Sequence, residues 1–195
     1  MIVYTFDNVE PEIEQVWKLP SFSLNKQWDG TSAKSSLRCI VAETPTLIHF
    51  LVRFPLDTWD FADGRTGDFR EGLWERDVAE LFVAQGSKYY EINLSPSGMW
   101  WIQSFKDIRE REPGFKIDTG LANIIVTPSS SDNAVSFSLL KSPMFGDLAQ
   151  VSGNVTACIG RDRREFLSLA KLSKRDFHQP KSFLPFVSIN ASFIK

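Results

Sequence analysis

The segment from Leu73 to Phe105 constrains the fold of this chain more than any other stretch, because it reads as three consecutive strands. Its sequence is LWERDVAELFVAQGSKYYEINLSPSGMWWIQSF. Apolar and aromatic runs at about 76–84, 88–95 and 99–106 are separated by turns that contain Gly, Ser or Pro. Carboxylate and amide side chains nevertheless lie inside these runs. Burying such groups costs free energy unless hydrogen bonds satisfy them, so their positions indicate a specific role.

Strand-like runs also occupy much of the remaining chain, at about 2–6, 36–43, 47–54, 121–127, 133–141, 154–160, 165–172 and 183–193. Residues 13–19 read as a strand or a loose connection, and 144–148 as one helical turn. Many short strands without a long amphipathic helix predict an all-β fold. We expect an antiparallel β-sandwich of two sheets, jelly-roll or immunoglobulin-like, with few or no helices. The 195 residues, without a visible linker, are expected to form one domain.

Three segments between the strands read as connections. Residues 25–36 are polar and rich in turn-forming residues, which predicts a loop. Residues 55–72 form the longest irregular segment, and its three aromatic side chains favour an ordered loop. The charged stretch 108–114 is expected to be exposed, and a short helix could form there.

Composition and charge argue against several classes of partner. The net charge of -2 does not suggest nucleic acid, which requires a clustered basic face. No apolar run approaches the roughly 18 residues of a membrane span. The N-terminus lacks the features of a secretory signal, so a cytoplasmic location is expected. Cys39 and Cys158 lie in apolar runs and are expected to be buried thiols rather than a disulfide.

Alternation along the strands assigns the polar residues to particular faces. In residues 89–94 one face carries Tyr90, Ile92 and Leu94, and the other carries Tyr89, Glu91 and Asn93. The first set is expected to face the core, and the second faces water or a ligand. Glu80 shares a face with Val78 and Phe82, so its carboxylate must be satisfied by hydrogen-bond donors. Apolar residues on both faces of 76–84 predict a central strand.

Two groups of side chains are candidates for function. Three carboxylates, Asp77, Glu80 and Glu91, could perform acid–base chemistry or be satisfied within the structure. The aromatic set could stack on sugar rings or fill the core, and consists of Trp28, Trp59, Trp74, Trp100, Trp101 and Phe177. Adjacent Trp100 and Trp101 must lie on opposite faces. His49 is expected to be a hydrogen-bonded strand residue, and His178, in a polar loop, is the better candidate for ligand contact.

Three segments resemble known carbohydrate-binding domains. WERDVAELF (74–82) resembles the W-E-x-D-x-x-E-x-F signature of family 9 carbohydrate-binding modules and the related DOMON-like domains. The segments YYEINLSPSG (89–98) and DFHQPKSF (176–183) are similar to a bacterial DOMON-like group. The resemblance implies a β-sandwich that holds a mono- or oligosaccharide between two aromatic planes, without catalysis and with a link to xylan breakdown.

The resemblance also implies roles for individual residues. Trp74 falls on the first aromatic plane, Glu80 on a carboxylate that hydrogen-bonds the sugar, and Asn93 on a neighbouring polar position. Phe177 stands where the family has a tryptophan, three residues before the matching Pro-x-x-Phe. Glu91 replaces one of the family's arginine and glutamine contacts and Tyr89 the other. We therefore predict a ligand site at Trp74, Glu80, Glu91, Asn93, Phe177 and His178.

Other functions remain open from the sequence. Some DOMON domains bind haem through a Met and a His, for which Met99, Met144 and His178 are the candidates here. A glycoside hydrolase would need two of Asp77, Glu80 and Glu91. A structural or protein-interaction sandwich needs no small ligand. No cofactor is required by the sugar-binding hypothesis, and calcium is compatible with it.

Overall fold

Two seven-stranded sheets form the protein. The structure, a computed structural model, describes residues 1–7, 10–141 and 151–191. The predicted turn at 144–148 therefore lies outside the described residues. Most neighbouring strands are antiparallel, and the predicted β-sandwich is confirmed.

The first sheet has the strand order β14-β1-β3-β4-β10-β9, with β2 paired to β3. Its strands are β1 (Ile2–Thr5), β2 (Phe22–Lys26), β3 (Ser32–Glu43), β4 (Leu47–Pro55), β9 (Ala122–Pro128), β10 (Asp132–Leu140) and β14 (Val187–Asn190). The pairings of β1 with β14 and with β3 are parallel, which the expectation of an antiparallel sandwich did not include.

The second sheet has the order β12-β11-β5-β6-β7-β8, with β13 paired to β11. Its strands are β5 (Val78–Gln85), β6 (Lys88–Leu94), β7 (Trp100–Asp107), β8 (Glu110–Arg111), β11 (Ser152–Ile159), β12 (Glu165–Ser168) and β13 (Leu184–Pro185). The predicted strands at 76–84, 88–95 and 99–106 thus become β5, β6 and β7, and β5 lies in the interior of the sheet.

Several connections differ from the sequence-based interpretation. Residues 13–19 contain the helix α1 (Ile13–Trp17), so both the strand and the loose connection were wrong. Its apolar residues Ile13, Val16 and Trp17 have the i, i+3, i+4 spacing of one helical face, and they pack against the first sheet. Strands β2 and β3 extend into the predicted loop 25–36, and 108–114 contains β8 rather than a helix.

In the part of the chain that the structure describes, the other helices are single turns of 3-10 type, at Leu73–Glu75, Thr119–Leu121 and Pro180–Ser182. Within the described ranges, no helix is long and apolar enough to cross a membrane.

The main core lies between the two sheets and is built from their inward-facing side chains. Tyr90, Ile92 and Leu94 belong to it, as predicted from alternation. Trp100 is 1% exposed and its ring centroid lies 5.4 Å from that of Phe137 on the opposite sheet. The core of the sandwich therefore accounts for one tryptophan of the adjacent pair.

A second apolar cluster covers the outer face of the second sheet. Strand residues Val78, Phe82 and Trp101 contribute to it, and they pack against the C-terminal residues Phe177 and Phe183. Strand β5 is consequently buried on both faces, as its sequence predicted. Cys39 and Cys158 are both buried free thiols, which confirms that expectation.

Candidate functional site

A pocket of about 340 Å³ lies between the outer face of the second sheet and the C-terminal segment. Its lining consists of Trp74, Glu80, Phe82, Glu91, Trp101, Phe105, Arg109, Arg111, Cys158, Phe166, Arg175, Asp176, Phe177 and His178. Five of the six predicted site residues are therefore in one place. The sixth, Asn93, is fully buried beside the pocket and bonds to Glu91.

Strand register explains why the polar residues meet. Glu80 pairs with Asn93 across β5 and β6, and Phe82 pairs with Glu91 two positions further along. Residues that are directly opposite, or two apart, on paired strands share one face of the sheet. Tyr89, Glu91 and Asn93 therefore point to the outer face, where the C-terminal segment covers them instead of water.

The two glutamates at the floor of the pocket are each 4% exposed. Thr156 Oγ1 donates a hydrogen bond of 2.6 Å to Glu80 Oε2, and Asn93 Nδ2 donates one of 3.0 Å to Glu91 Oε1. Burial raises the pKa of Glu80 to about 7. Burial and the adjacent Glu80 charge raise the pKa of Glu91 to about 8.

The amide oxygen of Asn93 is an unsatisfied acceptor. Asn93 Oδ1 is buried and has no hydrogen-bond partner among the described residues. Native proteins rarely leave such an atom without a donor, so a site that supplies one is favoured. A ligand hydroxyl or amine is a donor of the required kind.

His178 is held in a defined orientation at the pocket wall. Its Nδ1 lies 2.7 Å from the Tyr89 hydroxyl, and its Nε2 lies 3.5 Å from Glu91 Oε2. Burial lowers the pKa of His178 to about 4, so the ring is neutral near pH 7. The Tyr89 oxygen accepts the Arg109 N–H at 3.0 Å, so its own proton is available for His178 Nδ1. This leaves the His178 proton on Nε2, directed at Glu91.

Aromatic rings form the apolar part of the pocket. Trp74 lies in the turn Leu73–Glu75, is 36% exposed, and packs edge-on against Trp101 with ring centroids 5.2 Å apart. Phe177 is buried and lies 6.3 Å from Phe166, centroid to centroid. The pocket lining thus includes both predicted stacking residues.

Other members of the predicted aromatic set lie elsewhere. Trp100 is in the main core, and Trp28 packs against the outer cluster without lining the pocket. Trp59 lies under the Arg76 guanidinium, whose carbon is 4.2 Å from the indole centroid. These three tryptophans pack within the protein and do not line the pocket. Their positions agree with the alternative interpretation of the sequence, in which most of the aromatic side chains fill the core.

Three arginines in the pocket, Arg109, Arg111 and Arg175, were missed by sequence reasoning. Arg109 makes a two-point contact with Asp176, with Nη2 2.8 Å from Oδ1 and Nε 3.2 Å from Oδ2. Its φ of 56° is unusual for a residue other than glycine. Residues 108–114 read as an exposed connection, and no sequence signal placed them opposite residues 175–178.

The remaining predicted candidates do not join the pocket. Asp77 is buried and accepts bonds from the amides of Trp59 and Gly160, which gives it a structural role. His49 is buried in β4 and its Nδ1 bonds to Ser138, as expected for a strand residue.

The proposed haem ligands are not all in one place. Met99 is fully buried in the outer cluster and does not line the pocket, and Met144 lies outside the described residues. Among the residues that the structure describes, no group of three or more His, Cys, Asp or Glu side chains could hold a metal ion. Haem binding stays an alternative hypothesis from the sequence, and calcium binding stays compatible with the sugar-binding hypothesis.

Solved structures share this architecture. A protein from Bacteroides uniformis, to which carbohydrate binding has been attributed, matches with a TM-score of 0.68 and 19% identity over 97% of this chain and 98% of that protein. A family 9 carbohydrate-binding module from Caldicellulosiruptor kristjanssonii, in complex with cellotriose, matches with a TM-score of 0.61 and 9% identity over 97% of this chain and 94% of the module.

A structure of a family 9 module from the same organism in complex with glucose gives a TM-score of 0.62 at 8% identity, over 97% of this chain and 96% of that chain. No family model and no curated protein matches the sequence. At these identities the likeness establishes the fold, a β-sandwich of the kind found in family 9 modules.

Proposed function

We propose that this protein binds a mono- or oligosaccharide in the pocket without catalysing its conversion. One observation carries the proposal: aromatic rings line a pocket whose floor holds two buried glutamates, next to a buried amide oxygen, Asn93 Oδ1, that lacks a donor. A sugar ring offers an apolar face to aromatic planes and hydroxyl donors at its edge. One ligand can therefore pack against the aromatic rings and donate hydrogen bonds to the polar floor of the pocket.

The roles of the residues follow from their positions. Trp74, at the exposed rim, supplies the first stacking plane, and Phe177 supplies the second. Glu80 and Glu91 accept hydroxyl protons, and Asn93 adds its amide oxygen. His178 orients Glu91 through its Nε2 proton. The same arrangement is the one implied by the resemblance to family 9 modules and DOMON-like domains.

Binding is favoured over hydrolysis because of where the two carboxyl groups lie. Glycosidases place an acid and a second carboxylate on either side of the scissile bond. Glu80 and Glu91 instead lie on neighbouring strands of one sheet face, so both meet a ligand from the same side. The sugar complexes of two structural neighbours support the same conclusion.

Isothermal titration calorimetry with glucose, xylose, cellobiose and xylobiose tests the proposal, and xylobiose also tests the expected link to xylan. We expect saturable binding that Trp74→Ala weakens at least tenfold, because the substitution removes one stacking plane. Trp17→Ala is the matched control, since Trp17 lies in helix α1, which packs against the first sheet, and does not line the pocket. No heat from any of the sugars, or equal binding by Trp74→Ala, would reject the pocket as a sugar site.

A further inference from the structure

The floor of the pocket is made of acceptors and lacks a cation. Glu80 receives a hydrogen bond from Thr156, and Glu91 receives one from Asn93. The orphan Asn93 oxygen adds a third acceptor on the same sheet face. A neutral sugar would satisfy hydrogen bonds here, whereas a cation would also stabilise the ionised form of the two glutamates, which burial and their proximity disfavour.

Two of the three arginines that line the pocket are engaged with other acids. Arg109 is bound to Asp176 and Arg111 to Glu71. No Lys or Arg forms an ion pair with Glu80 or Glu91 in the described part of the chain. His178 reaches Glu91 through Nε2, and its buried ring is neutral near pH 7. Arg109, Arg111 and Arg164 act on the two glutamates only from beyond ion-pair distance, so no charged side chain among the described residues pairs directly with them.

Aromatic rings surround these carboxylates. Phe82, Trp101 and Phe105 belong to the sheet face, and Trp74 and Phe177 complete the aromatic part of the lining. Aromatic faces attract cations, and this attraction grows when the site is shielded from water. Buried carboxylates within an aromatic enclosure are the chemistry that recognises an ammonium group.

We infer that the ligand of this pocket is an amino sugar, whose protonated amino group is held by Glu80 and Glu91 between the aromatic rings. The inference rests on the proposed sugar-binding function and specifies its ligand class. The ammonium stabilises the ionised glutamates in place of the protons that they otherwise retain, and it supplies a donor for the Asn93 oxygen. The carbohydrate ring then occupies the space toward Trp74.

An acidic sugar is the competing ligand, because three arginines line the pocket. Two of them are already paired with acids, and all three are exposed to solvent, where their charge is screened. The glutamates are buried and unscreened. An ammonium group interacts with ionised, buried glutamates more strongly than a carboxylate interacts with exposed arginines, so we expect an amino sugar rather than a uronic acid.

Calorimetric titrations at pH 7 with five probes test the inference: glucose, glucosamine, 6-amino-6-deoxyglucose, glucuronate and cyclohexylammonium. At least one amino sugar should bind tenfold or more tightly than glucose, which is about 1.4 kcal/mol. Glu91→Gln and Glu80→Gln should each remove most of that difference while glucose affinity changes less. The matched control is Glu110→Gln, at a glutamate that lies outside the pocket and is exposed.

The outcomes separate this inference from the function on which it rests. Glucose binding equal to or tighter than both amino sugars, or a preference for glucuronate, would overturn the amino-sugar assignment and leave sugar binding intact. An amino-sugar preference that persists in both glutamine variants would also overturn it. Binding of cyclohexylammonium without any sugar would overturn the sugar function, and silence with all five probes would overturn both.

Discussion

The buried glutamate pair should make the protein less stable as the pH rises through neutrality. In the folded chain the pKa of Glu80 is raised to about 7 and that of Glu91 to about 8, from 4.5 for an ordinary glutamate. The folded state therefore keeps protons that the unfolded chain releases. The stabilising contribution is complete below about pH 4.5 and is lost as the pH rises through these values.

The size of the loss follows from the two pKa values. Between about pH 6.5 and about pH 8, proton linkage gives a loss of about 1 kcal/mol from Glu80 and about 1–2 kcal/mol from Glu91. The sum of about 2 kcal/mol corresponds to a fall in Tm of about 5 °C for a chain of this length. His178 does not oppose it, because its lowered pKa affects stability only below its ordinary value of 6.5.

The double variant Glu80→Gln/Glu91→Gln isolates this contribution. Glutamine oxygens can still accept the Thr156 and Asn93 hydrogen bonds, so the fold should be kept. Differential scanning calorimetry at constant ionic strength should show a steep Tm decrease for the native sequence and a shallow one for the double variant. Glu110→Gln should follow the native sequence. If Tm fell equally with rising pH in the native protein and in the double variant, the two glutamates would not retain protons in the folded state, and the reasoning would be refuted.

Three further predictions concern the packing around the pocket. Gly153→Ala should lower the free energy of unfolding by about 1–3 kcal/mol, because the added Cβ would lie 2.6 Å from the Phe82 carbonyl oxygen. Urea denaturation measures this change, and an unchanged free energy of unfolding would contradict the prediction. Tyr89→Phe should lower the free energy of unfolding by about 1–3 kcal/mol in the same assay, since it removes the hydroxyl that hydrogen-bonds His178. An unchanged free energy of unfolding would show that this hydrogen bond does not stabilise the fold. The buried Cys158 thiol, whose pKa is raised by burial, should react with a thiol reagent only after unfolding, and rapid labelling of native protein would argue otherwise.

Much of the fold was predictable because strands leave a local signature. Alternation in 89–94 correctly separated the core-facing set from the outer set, and apolar residues on both faces of 76–84 marked an interior strand. Sequence-adjacent Trp100 and Trp101 divided between the main core and the outer cluster for the same reason. These inferences need only the two-residue period of a strand, which does not depend on distant contacts.

The sequence-based predictions failed where the local pattern was too short, or where contacts between distant residues determined the structure. Helix α1 has only five residues, too few for its period to be distinguished from a strand. The parallel pairing of β1 with β14 joins the two ends of the chain, and no local pattern encodes it. Arg109 reached the pocket through a contact with Asp176 that spans 67 residues. Five pocket residues were predicted, mainly from the family resemblance, whereas the arginines required the structure.

The C-terminal segment explains how the sheet can carry two buried carboxyl groups on its outer face. The side chain of Gln179 closes this segment into a compact loop, accepting from the Ser173 amide at 3.1 Å and donating to the Lys174 carbonyl at 3.0 Å. His178 then packs against Phe82 and Phe105, with ring centroids 5.5 Å and 5.1 Å away. A loop fixed in this way covers the glutamates without filling the space above them. Ligand binding would therefore require little ordering of the chain, so the interactions made with the acceptors at the floor would contribute largely undiminished to affinity.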